Sequence, residues 1–317
     1  MKKVLITGAS GQIGSELTSK LRSEYGVDNV VATDIRSTSE IINNGLFETL
    51  DVMDINSMAS IAKKYNVDTI IHLASLLSAI GEQNPQFAWK LNMGGLSNVL
   101  EVCKELNCKL FTPSSIAAFG SNSPKNLTPQ DTLQRPSTMY GVTKVAGELL
   151  CDYYFNKFKV DTRGVRFPGL ISYVTPPGGG TTDYAVDIYY EALKNKKYDS
   201  FIAKGTQMDM MYMPDALDAI VDLIEADSSK LIHRNAFNIT AMNFDPDEIS
   251  NEIKKHIPEF EFGYNVDPIR QSIAESWPNS IDPTCAINEW GFKVNYDLSK
   301  MTIDMLEKLK IKGIGCN

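Results

Sequence analysis

Short apolar runs alternate with helical patterns along the first half of the chain. The runs are rich in β-branched residues, and they predict strands at Lys3–Ile6, Asn29–Thr33, Leu46–Asp51, Thr69–Leu73, Lys109–Pro113 and Asp161–Val165. Between them, apolar residues recur at helical spacing, as Ile13, Leu17 and Leu21 do. Helices are predicted at Gln12–Glu24, Asn56–Tyr65, Pro85–Leu106 and Thr138–Phe158. This alternation predicts βαβ units and an α/β fold with a doubly wound parallel sheet, the Rossmann arrangement.

The pattern changes after Phe167. Segment Pro168–Thr182 is rich in Pro and Gly, which excludes a helix and predicts a functional loop. Shorter elements follow, with helices near Asp183–Lys194, Pro214–Ala226, Pro246–His256 and Leu298–Lys310. We therefore predict a Rossmann domain over residues 1–167 and a smaller substrate-binding lobe over 168–317. The lobe is expected to cover the carboxyl edge of the sheet, with some of its chain returning to that sheet.

Composition and charge narrow the possible partners. The chain has 317 residues, with 31 Lys and Arg against 39 Asp and Glu, so its formal net charge is −8. Such a balance, without a local basic patch, argues against nucleic-acid binding. The most apolar stretch, Thr69–Gly81, contains His72 and two serines and is too short and polar to span a bilayer. No membrane association is predicted.

Cysteine and histidine usage argues against disulfides and metal sites. The three histidines do not form His-Glu-x-x-His, and no Cys-x-x-Cys occurs, so no metal is predicted. The N-terminus lacks the pattern of a signal or transit peptide, and the sparse, irregular cysteines suggest a reducing compartment, so a cytoplasmic location is expected. The five cysteines are Cys103, Cys108, Cys151, Cys285 and Cys316.

A glycine-rich turn lies between the first predicted strand and the first helix. It reads Gly8-x-x-Gly11-x-x-Gly14. Glycines at these places let a backbone approach a pyrophosphate, and the following helix offers free N–H groups and the positive end of its dipole. The next strand ends at Asp34, 20 residues after Gly14, where a carboxylate suits a free ribose and repels a 2′-phosphate. The pattern predicts NAD rather than NADP, although Arg36 weakens this preference.

Two further strand ends carry candidate residues at the same edge of the sheet. Asp51 and Val52 follow the third strand, where they would either border an adenine or simply cap the next helix. His72 ends the fourth strand. A histidine at such a place is more often a buried residue with satisfied hydrogen bonds than a catalyst.

Tyr140-x-x-x-Lys144 on a predicted helix places a phenol and an ammonium on one helical face. The ammonium favours the phenolate, which makes Tyr140 a usable general base. Ser114 and Ser115 follow the fifth strand, and either hydroxyl would hold an alcohol or carbonyl oxygen near that phenol. The Tyr–Lys spacing is common by chance, and only its combination with the glycine turn and the serines makes it specific.

These motifs, followed by Arg166-Phe167-Pro168, resemble the extended short-chain dehydrogenase/reductase family over essentially the whole chain. The stretch from Gly178 to Ala185, Gly-Gly-Gly-Thr-Thr-Asp-Tyr-Ala, is more specific and resembles the short-chain type of L-threonine 3-dehydrogenase. That resemblance implies oxidation of L-threonine at its β-hydroxyl to 2-amino-3-oxobutanoate, with NAD as cofactor.

The resemblance also implies roles for individual residues. Tyr140 and Lys144 would be catalytic with Ser115, which aligns with the family's hydroxyl position, while Ser114 stays an alternative. The implied cofactor-binding residues are Gly8, Gly11, Gln12, Ile13, Gly14, Asp34, Asp51, Val52, Leu73, Ala74, Asn92, Tyr140, Lys144 and Pro168. The implied substrate-binding residues are Ser78, Gly81, Ser115, Tyr140, Gly180, Thr181 and Thr182.

Two other functions remain open at this point. One is a nucleotide-sugar 4-epimerase or related sugar-modifying enzyme of the same family. Such enzymes usually carry Arg-Asp-[Tyr/Phe] where this chain has Met208-Asp209-Met210, so the cation for a diphosphate is absent. The other is an NAD-binding regulatory protein without turnover, against which the intact Ser–Tyr–Lys set argues.

A homodimer is expected from the two long helices Pro85–Leu106 and Thr138–Phe158, which carry apolar residues on more than one face. In the family such helices pair across a two-fold axis. The alternative is that both helices bury these faces within one subunit. The residues concerned include Leu96, Val99, Val102, Leu149, Leu150 and Tyr153.

Overall fold

The computed structural model of the chain describes residues 1–36, 44–176 and 178–315. Cys316 lies outside these residues. The strands are β1 (Val4–Thr7), β2 (Val30–Asp34), β3 (Phe47–Thr49), β4 (Thr69–His72), β5 (Lys109–Phe111), β6 (Ser114–Ser115), β7 (Thr162–Arg163), β8 (Val165–Phe167), β9 (Gly169–Ile171), β10 (Lys197–Ser200), β11 (Met208–Tyr212), β12 (Phe237–Asn238), β13 (Met242–Phe244) and β14 (Glu261–Tyr264). The α-helices are α1 (Gln12–Tyr25), α2 (Ile55–Lys64), α3 (Ser78–Gln83), α4 (Pro85–Leu106), α5 (Met139–Phe158), α6 (Tyr184–Lys194), α7 (Met213–Glu225), α8 (Pro246–Lys254), α9 (Pro268–Ser276), α10 (Thr284–Trp290) and α11 (Leu298–Ile311).

The central sheet has six strands in the order β3-β2-β1-β4-β5-β7, and every neighbouring pair is parallel. This is the doubly wound order, in which the chain first moves one way from β1 and then returns to the other side of it. The predicted α/β fold with a parallel Rossmann sheet is confirmed. The carboxyl ends of these strands meet at one edge, where the predicted site residues lie.

Side-chain alternation along the strands decides which helices cover which face. Val4 and Ile6 point to the face that is covered by α1 and α7, in one buried core. Leu5, between them, points to the opposite face, where α2, α4 and α5 pack. Because helices cover both faces of the sheet, apolar residues occupy successive positions of a strand instead of every second position.

A second core joins α6, α8 and α11 to β9 and β11, and forms the smaller lobe. Its chain also returns to the sheet, because α7 packs on α1 in the core of the first domain. Strand β12 pairs in parallel with β8, which in turn pairs with β6. The boundary between residues 167 and 168 itself stays a prediction.

Several elements differ from the sequence predictions. Gly169–Ile171 lies inside the predicted loop but forms β9, because it pairs with β11 of the second lobe. The strand predicted at Asp161–Val165 is divided between β7, in the central sheet, and β8, in the short sheet with β6. Helices α3, α9 and α10 were not predicted, since each has nine residues or fewer and is too short to show a clear helical repeat. Among the described residues no helix is both long and apolar enough to cross a membrane.

Candidate active site

Two adjoining cavities open at the carboxyl edge of the central sheet and share Leu73 and Ser75. The larger, about 460 Å³, lies over the ends of β1, β2 and β4 and is called the cofactor cleft below. The smaller, about 170 Å³, lies over the start of α5 and is called the reaction pocket. The predicted residues that line the cofactor cleft are Gly8, Gly11, Asp34, Asp51, Val52, Leu73 and Ala74.

The glycine turn packs too closely for any other side chain. Gly8 has φ +72°, and a Cβ there would meet the backbone nitrogen of Ala74 at 2.7 Å. A Cβ on Gly14 would meet the Gly8 carbonyl oxygen at 2.3 Å, so α1 begins directly against the turn. Gly14 therefore shapes the turn from behind and does not line the cleft, and the turn exposes backbone to the cleft.

Asp34 and Ser10 complete the far side of the turn. The Asp34 carboxylate accepts hydrogen bonds from the backbone N–H of Ser10 at 2.9 Å and from Arg36 Nε at 3.3 Å. Ser10 Oγ is buried and has no hydrogen-bond partner among the described residues. A glycine cradle, a helix N-terminus, a carboxylate and an unpaired hydroxyl together fit the pyrophosphate and ribose of a dinucleotide.

The reaction pocket brings together Ser115, Tyr140 and Lys144. Thr138 caps α5 by accepting a hydrogen bond from the backbone N–H of Gly141 at 3.1 Å, which sets Tyr140 in the first turn. Lys144 Nζ donates to the Pro113 carbonyl oxygen at 2.8 Å and lies 5.2 Å from the centre of the Tyr140 ring. The phenol and the ammonium therefore share one face of the helix, as the four-residue spacing predicts.

The two serines of β6 have different partners. Ser114 Oγ donates to the carboxylate of Glu148, deep in the protein. Ser115 Oγ accepts a hydrogen bond from the Ala117 N–H at 3.1 Å, which leaves its own proton free to be donated, and the residue lines the reaction pocket. Both serines line the reaction pocket, but the Ser114 hydroxyl is already donated to Glu148, so the geometry favours Ser115 over Ser114 as the hydroxyl that meets a substrate.

The loop before α6 forms the opposite wall of the reaction pocket. Gly180, Thr181 and Thr182 all line it, as predicted. Thr181 is only 1% exposed, yet its Oγ1 has no hydrogen-bond partner among the described residues. Asp183 holds the loop, because its carboxylate accepts the N–H groups of Gly179 at 2.7 Å and Gly180 at 2.6 Å. Asp183 makes no side-chain cap to α6, and burial raises the pKa of its carboxyl.

Gln12, Ile13, Ser78 and Pro168 also line the reaction pocket. Gly81 lies in neither of the two cavities, because it packs within α3, where its N–H donates to the Leu77 carbonyl at 2.8 Å.

Asn92 lies behind the cleft rather than in it, next to a small cavity of about 40 Å³ that Lys144 and His72 also line. Its side chain accepts the N–H of Leu76 at 2.8 Å and donates to Thr143 Oγ1 at 3.2 Å, so it fixes the segment after β4 to α5.

His72 has the satisfied, buried role that the sequence favoured. Its Nδ1 and Thr7 Oγ1 are 2.8 Å apart. Burial, and then the nearby Lys144 ammonium, lower the pKa of His72 from 6.5 to about 3. The ring therefore stays neutral at physiological pH and does not act there as an acid.

Trp277 is a pocket residue that the sequence analysis missed. It follows α9 and lines the reaction pocket from the second lobe, packed with Ile116 and near Tyr140. Lys125 Nζ fixes its backbone by donating to the Trp277 carbonyl at 2.7 Å. No local pattern marks this tryptophan, since more than a hundred residues separate it from the segment that holds it.

Away from the cleft, His233, Cys285 and Glu289 have potential metal-ligating atoms within 4.8 Å of one another. The His233 ring already bonds the Glu289 carboxylate through Nδ1 and Asp131 Oδ2 through Nε2, the latter at 3.2 Å. These carboxylates raise the pKa of His233, although its partial burial opposes them and is the largest single influence.

Known proteins can now be set beside this geometry. The model of the NAD dependent epimerase/dehydratase family matches residues 4–240, about three quarters of the chain. The chain belongs to this family. The family's own description includes NAD, which confirms the cofactor predicted from the glycine turn. Among curated family members, an uncharacterized epimerase/dehydratase of Staphylococcus saprophyticus is 59% identical over 314 residues, covering 98% of each chain.

Solved structures of high similarity are L-threonine dehydrogenases. That of Clostridium difficile is 72% identical, covers 99% of both chains and superposes with a TM-score of 0.98. That of Phytophthora infestans is 49% identical, covers 98% of this chain and 99% of its own, and has a TM-score of 0.95. A UDP-glucose 4-epimerase of Thermotoga maritima has a TM-score of 0.84 but only 20% identity, which shows a shared fold alone.

Proposed function

We propose that this chain oxidises L-threonine at its β-hydroxyl, with NAD⁺ as the acceptor, to give 2-amino-3-oxobutanoate and NADH. The observation that carries the proposal is the 72% identity, over 99% of both chains, to an L-threonine dehydrogenase. The reaction pocket agrees with it, because about 170 Å³ suits a small substrate and Ser115, Tyr140 and Thr181 all line it. The catalytic and binding roles that follow are part of the proposal.

Tyr140 is the general base of this mechanism. Its phenolate takes the proton of the substrate hydroxyl while the C–H bond at the β-carbon breaks. Ser115 donates a hydrogen bond to the substrate oxygen and holds it near the phenol. Lys144, anchored on the Pro113 carbonyl, stabilises the phenolate by its charge. Bound NAD⁺ supplies the acceptor for the hydride.

The substrate's carboxylate would bind at the loop before α6. Thr181 lines the reaction pocket, and its Oγ1 is buried and unpaired among the described residues. An unpaired buried hydroxyl is costly unless a ligand satisfies it, so we assign Thr181 and the adjacent Thr182 to the substrate. Trp277, which also lines the reaction pocket, would exclude water from the reacting carbon.

The cofactor would lie along the cofactor cleft. Gly8, Gly11 and the start of α1 would hold the pyrophosphate, and Asp34 the adenosine ribose. Asp51 and Val52 would border the adenine, and Pro168 would back the nicotinamide. The Asp51 side chain already accepts the N–H of Met53 at 2.9 Å, which keeps the edge of the adenine site in place.

A nucleotide sugar fits this site less well. Met208 and Met210 are buried in β11, and Asp209 between them accepts the Ile281 N–H at 2.7 Å. This segment therefore offers no cation to a diphosphate, and the corresponding solved epimerase shares only 20% identity. We expect no conversion of UDP-sugars.

The proposal is tested by mixing the purified protein with NAD⁺ and recording NADH at 340 nm. The substrates would be L-threonine, D-threonine, L-allo-threonine, L-serine, 3-hydroxybutyrate, UDP-glucose and UDP-galactose. L-Threonine should be oxidised with the highest kcat/KM. If L-threonine gives no NADH while a UDP-sugar is converted, the assignment is wrong, and NAD binding without any turnover would support a regulatory protein instead.

We also propose a homodimer formed through α4 and α5. Leu96, Val99 and Val102 do not contribute to it, because they are buried in the subunit's own core. Leu149 and Tyr153, however, are 62% and 54% exposed on α5, and Trp89 is exposed on α4. One similar L-threonine 3-dehydrogenase, from a metagenome, is monomeric. Sedimentation at micromolar concentration should show a dimer, and Leu149→Lys should dissociate it.

A further inference from the structure

The buried carboxylate of Glu148 joins β6, β8 and α5, three elements that carry residues of the reaction pocket. Glu148 itself lines neither the reaction pocket nor the cofactor cleft. Glu148 lies on α5, one turn after Lys144, and is only 7% exposed. It accepts four hydrogen bonds. The donors are Ser114 Oγ, Arg166 Nε at 3.0 Å, Arg166 Nη2 at 2.8 Å and Gln134 Nε2 at 2.8 Å.

Arg166 carries the connection onward. Its guanidinium makes a two-pronged pair with Glu148, and its Nη1 donates to the Gln130 carbonyl at 2.8 Å and to Asn238 Oδ1 at 3.1 Å. It also lies 4.9 Å from the centre of the Phe119 ring, just after the serine-bearing strand. A paired guanidinium fork of this kind is directional, so it fixes orientation as well as distance.

Each element that Glu148 joins bears a group of the reaction. Strand β6 carries Ser115 next to Ser114, and β8 carries Arg166 two residues before Pro168. The two strands are in register, with Ser114 opposite Arg166. Helix α5 carries Tyr140 and Lys144 two turns and one turn before Glu148. One carboxylate thus sets the position of hydroxyl, phenol and ammonium relative to one another.

We propose that Glu148, with Arg166 and Ser114, is a positioning device for the hydroxyl oxidation, and that it sets the distance between the Ser115 hydroxyl and the Tyr140 phenol. The inference rests on the proposed function for its kinetic readout. It also gives the two serines different roles, since Glu148 holds the Ser114 hydroxyl while the Ser115 hydroxyl keeps its proton free to donate. A displacement of about 1 Å at a reacting group can lower a rate about a hundredfold.

The chain offers a matched control in a second buried arginine fork. Arg163 is 1% exposed and pairs with Asp161 through Nε at 3.0 Å and Nη2 at 2.8 Å. Its Nη1 donates to carbonyl oxygens at the end of α7, among them that of Leu223 at 2.7 Å. Arg163 makes the same kind of carboxylate pair as Arg166, but its partners are Asp161 and the end of α7 instead of the elements that carry Ser115, Tyr140 and Lys144.

The experiment compares Ser114→Ala, Glu148→Gln and Arg166→Lys with Arg163→Lys and the wild type. Each is assayed for kcat and KM with L-threonine, NADH affinity by fluorescence, melting temperature, and the isotope effect on kcat with L-threonine deuterated at the β-carbon. We expect kcat to fall about 10- to 100-fold in the first three, with a larger isotope effect and NADH affinity within about twofold of wild type. Arg163→Lys should lose thermal stability yet keep its kcat and isotope effect.

Amide hydrogen exchange gives a readout that does not depend on turnover. Peptides covering residues 112–119 and 138–148 should exchange faster in Glu148→Gln than in the wild type, and at the wild-type rate in Arg163→Lys. If the kcat, isotope effect and exchange of Ser114→Ala and Glu148→Gln match the wild type, the proposal is wrong. If Glu148→Gln does not fold, Arg166→Lys decides, because Arg166 lines neither the cofactor cleft nor the reaction pocket. A wild type inactive on L-threonine refutes the proposed function, whereas the exchange result still tests the tether.

Discussion

Glu16 has a carboxyl group that the fold buries in surroundings that disfavour its negative charge. It lies on α1, accepts a hydrogen bond from Ser172 Oγ and is near the ammonium of Lys312. Burial raises the pKa of Glu16 from 4.5 to about 7, although the Ser172 hydroxyl and Lys312 both act to lower it. Ser172 leads into the loop that carries Thr181, and Glu16 itself lines a separate cavity together with Tyr173 and Val174.

The sign of the effect follows from the two pKa values. Because the folded state holds the proton more tightly than the unfolded state, the stability that Glu16 contributes is fully present below about pH 4.5. It is lost as the pH rises through about 7. Each pKa unit corresponds to about 1.4 kcal/mol, so the whole loss is of the order of 3 kcal/mol.

Glu16→Gln removes this titration while it keeps an oxygen that can accept the Ser172 hydrogen bond. We expect the variant to melt roughly 5 °C above the wild type at pH 8.5, since about 3 kcal/mol is spread over a large unfolding entropy. At pH 5 the two proteins should melt close together. The measurement is differential scanning calorimetry of both proteins at half-unit pH steps.

Glu24→Gln is the matched control on the same helix. Glu24 is exposed and pairs with Lys20 Nζ at 2.7 Å. Its replacement should change the melting temperature little, because an exposed ion pair contributes little to stability. A difference between Glu16→Gln and the wild type that stays constant from pH 5 to 8.5 would refute the burial argument for Glu16.

Three further predictions concern the proposed site. Tyr140→Phe should lower kcat at least about a hundredfold and leave NADH affinity, measured by fluorescence, nearly intact; near-normal turnover would refute the assigned base. Wild-type kcat/KM should favour NAD over NADP at least about tenfold. Asp34→Asn still accepts the Ser10 N–H but has no negative charge, so it should lower this ratio. Equal use of both cofactors by the wild type would contradict the role of Asp34 in selecting NAD. Thr181→Val and Thr182→Ala should each raise KM for L-threonine strongly with little change in KM for NAD, whereas unchanged KM values with a lower melting temperature would indicate a structural role.

The local motifs of the sequence determined most of the cofactor cleft. Gly8, Gly11 and Asp34 are arranged by a strand, a turn and a helix that follow one another directly. The spacing of Tyr140 and Lys144 likewise fixes their common face, because both lie on one helix. Alternating strands and helices then predicted the parallel sheet, since a right-handed crossover packs each helix back onto it.

Other parts of the site depend on contacts between distant segments. The family resemblance implies that Asn92 binds the cofactor and that Gly81 binds the substrate. In the structure, Asn92 hydrogen-bonds to Leu76 and Thr143, and Gly81 packs inside α3. Trp277 lies in the reaction pocket because distant segments hold it: its ring packs with Ile116, and Lys125 Nζ donates to its carbonyl. A residue type and its spacing cannot reveal such pairs, because the partner lies elsewhere in the sequence.

The sequence by itself determined the fold class, the cofactor and the phenol–ammonium pair, because each follows from the geometry of a single strand, turn or helix. The tertiary structure decided the different partners of Ser114 and Ser115, which both line the reaction pocket. Helix α5 brings the Glu148 carboxylate against Ser114, whereas Ser115 accepts the Ala117 N–H. Local spacing fixes the direction of a side chain along its own element, but only packing against distant elements fixes what that side chain meets.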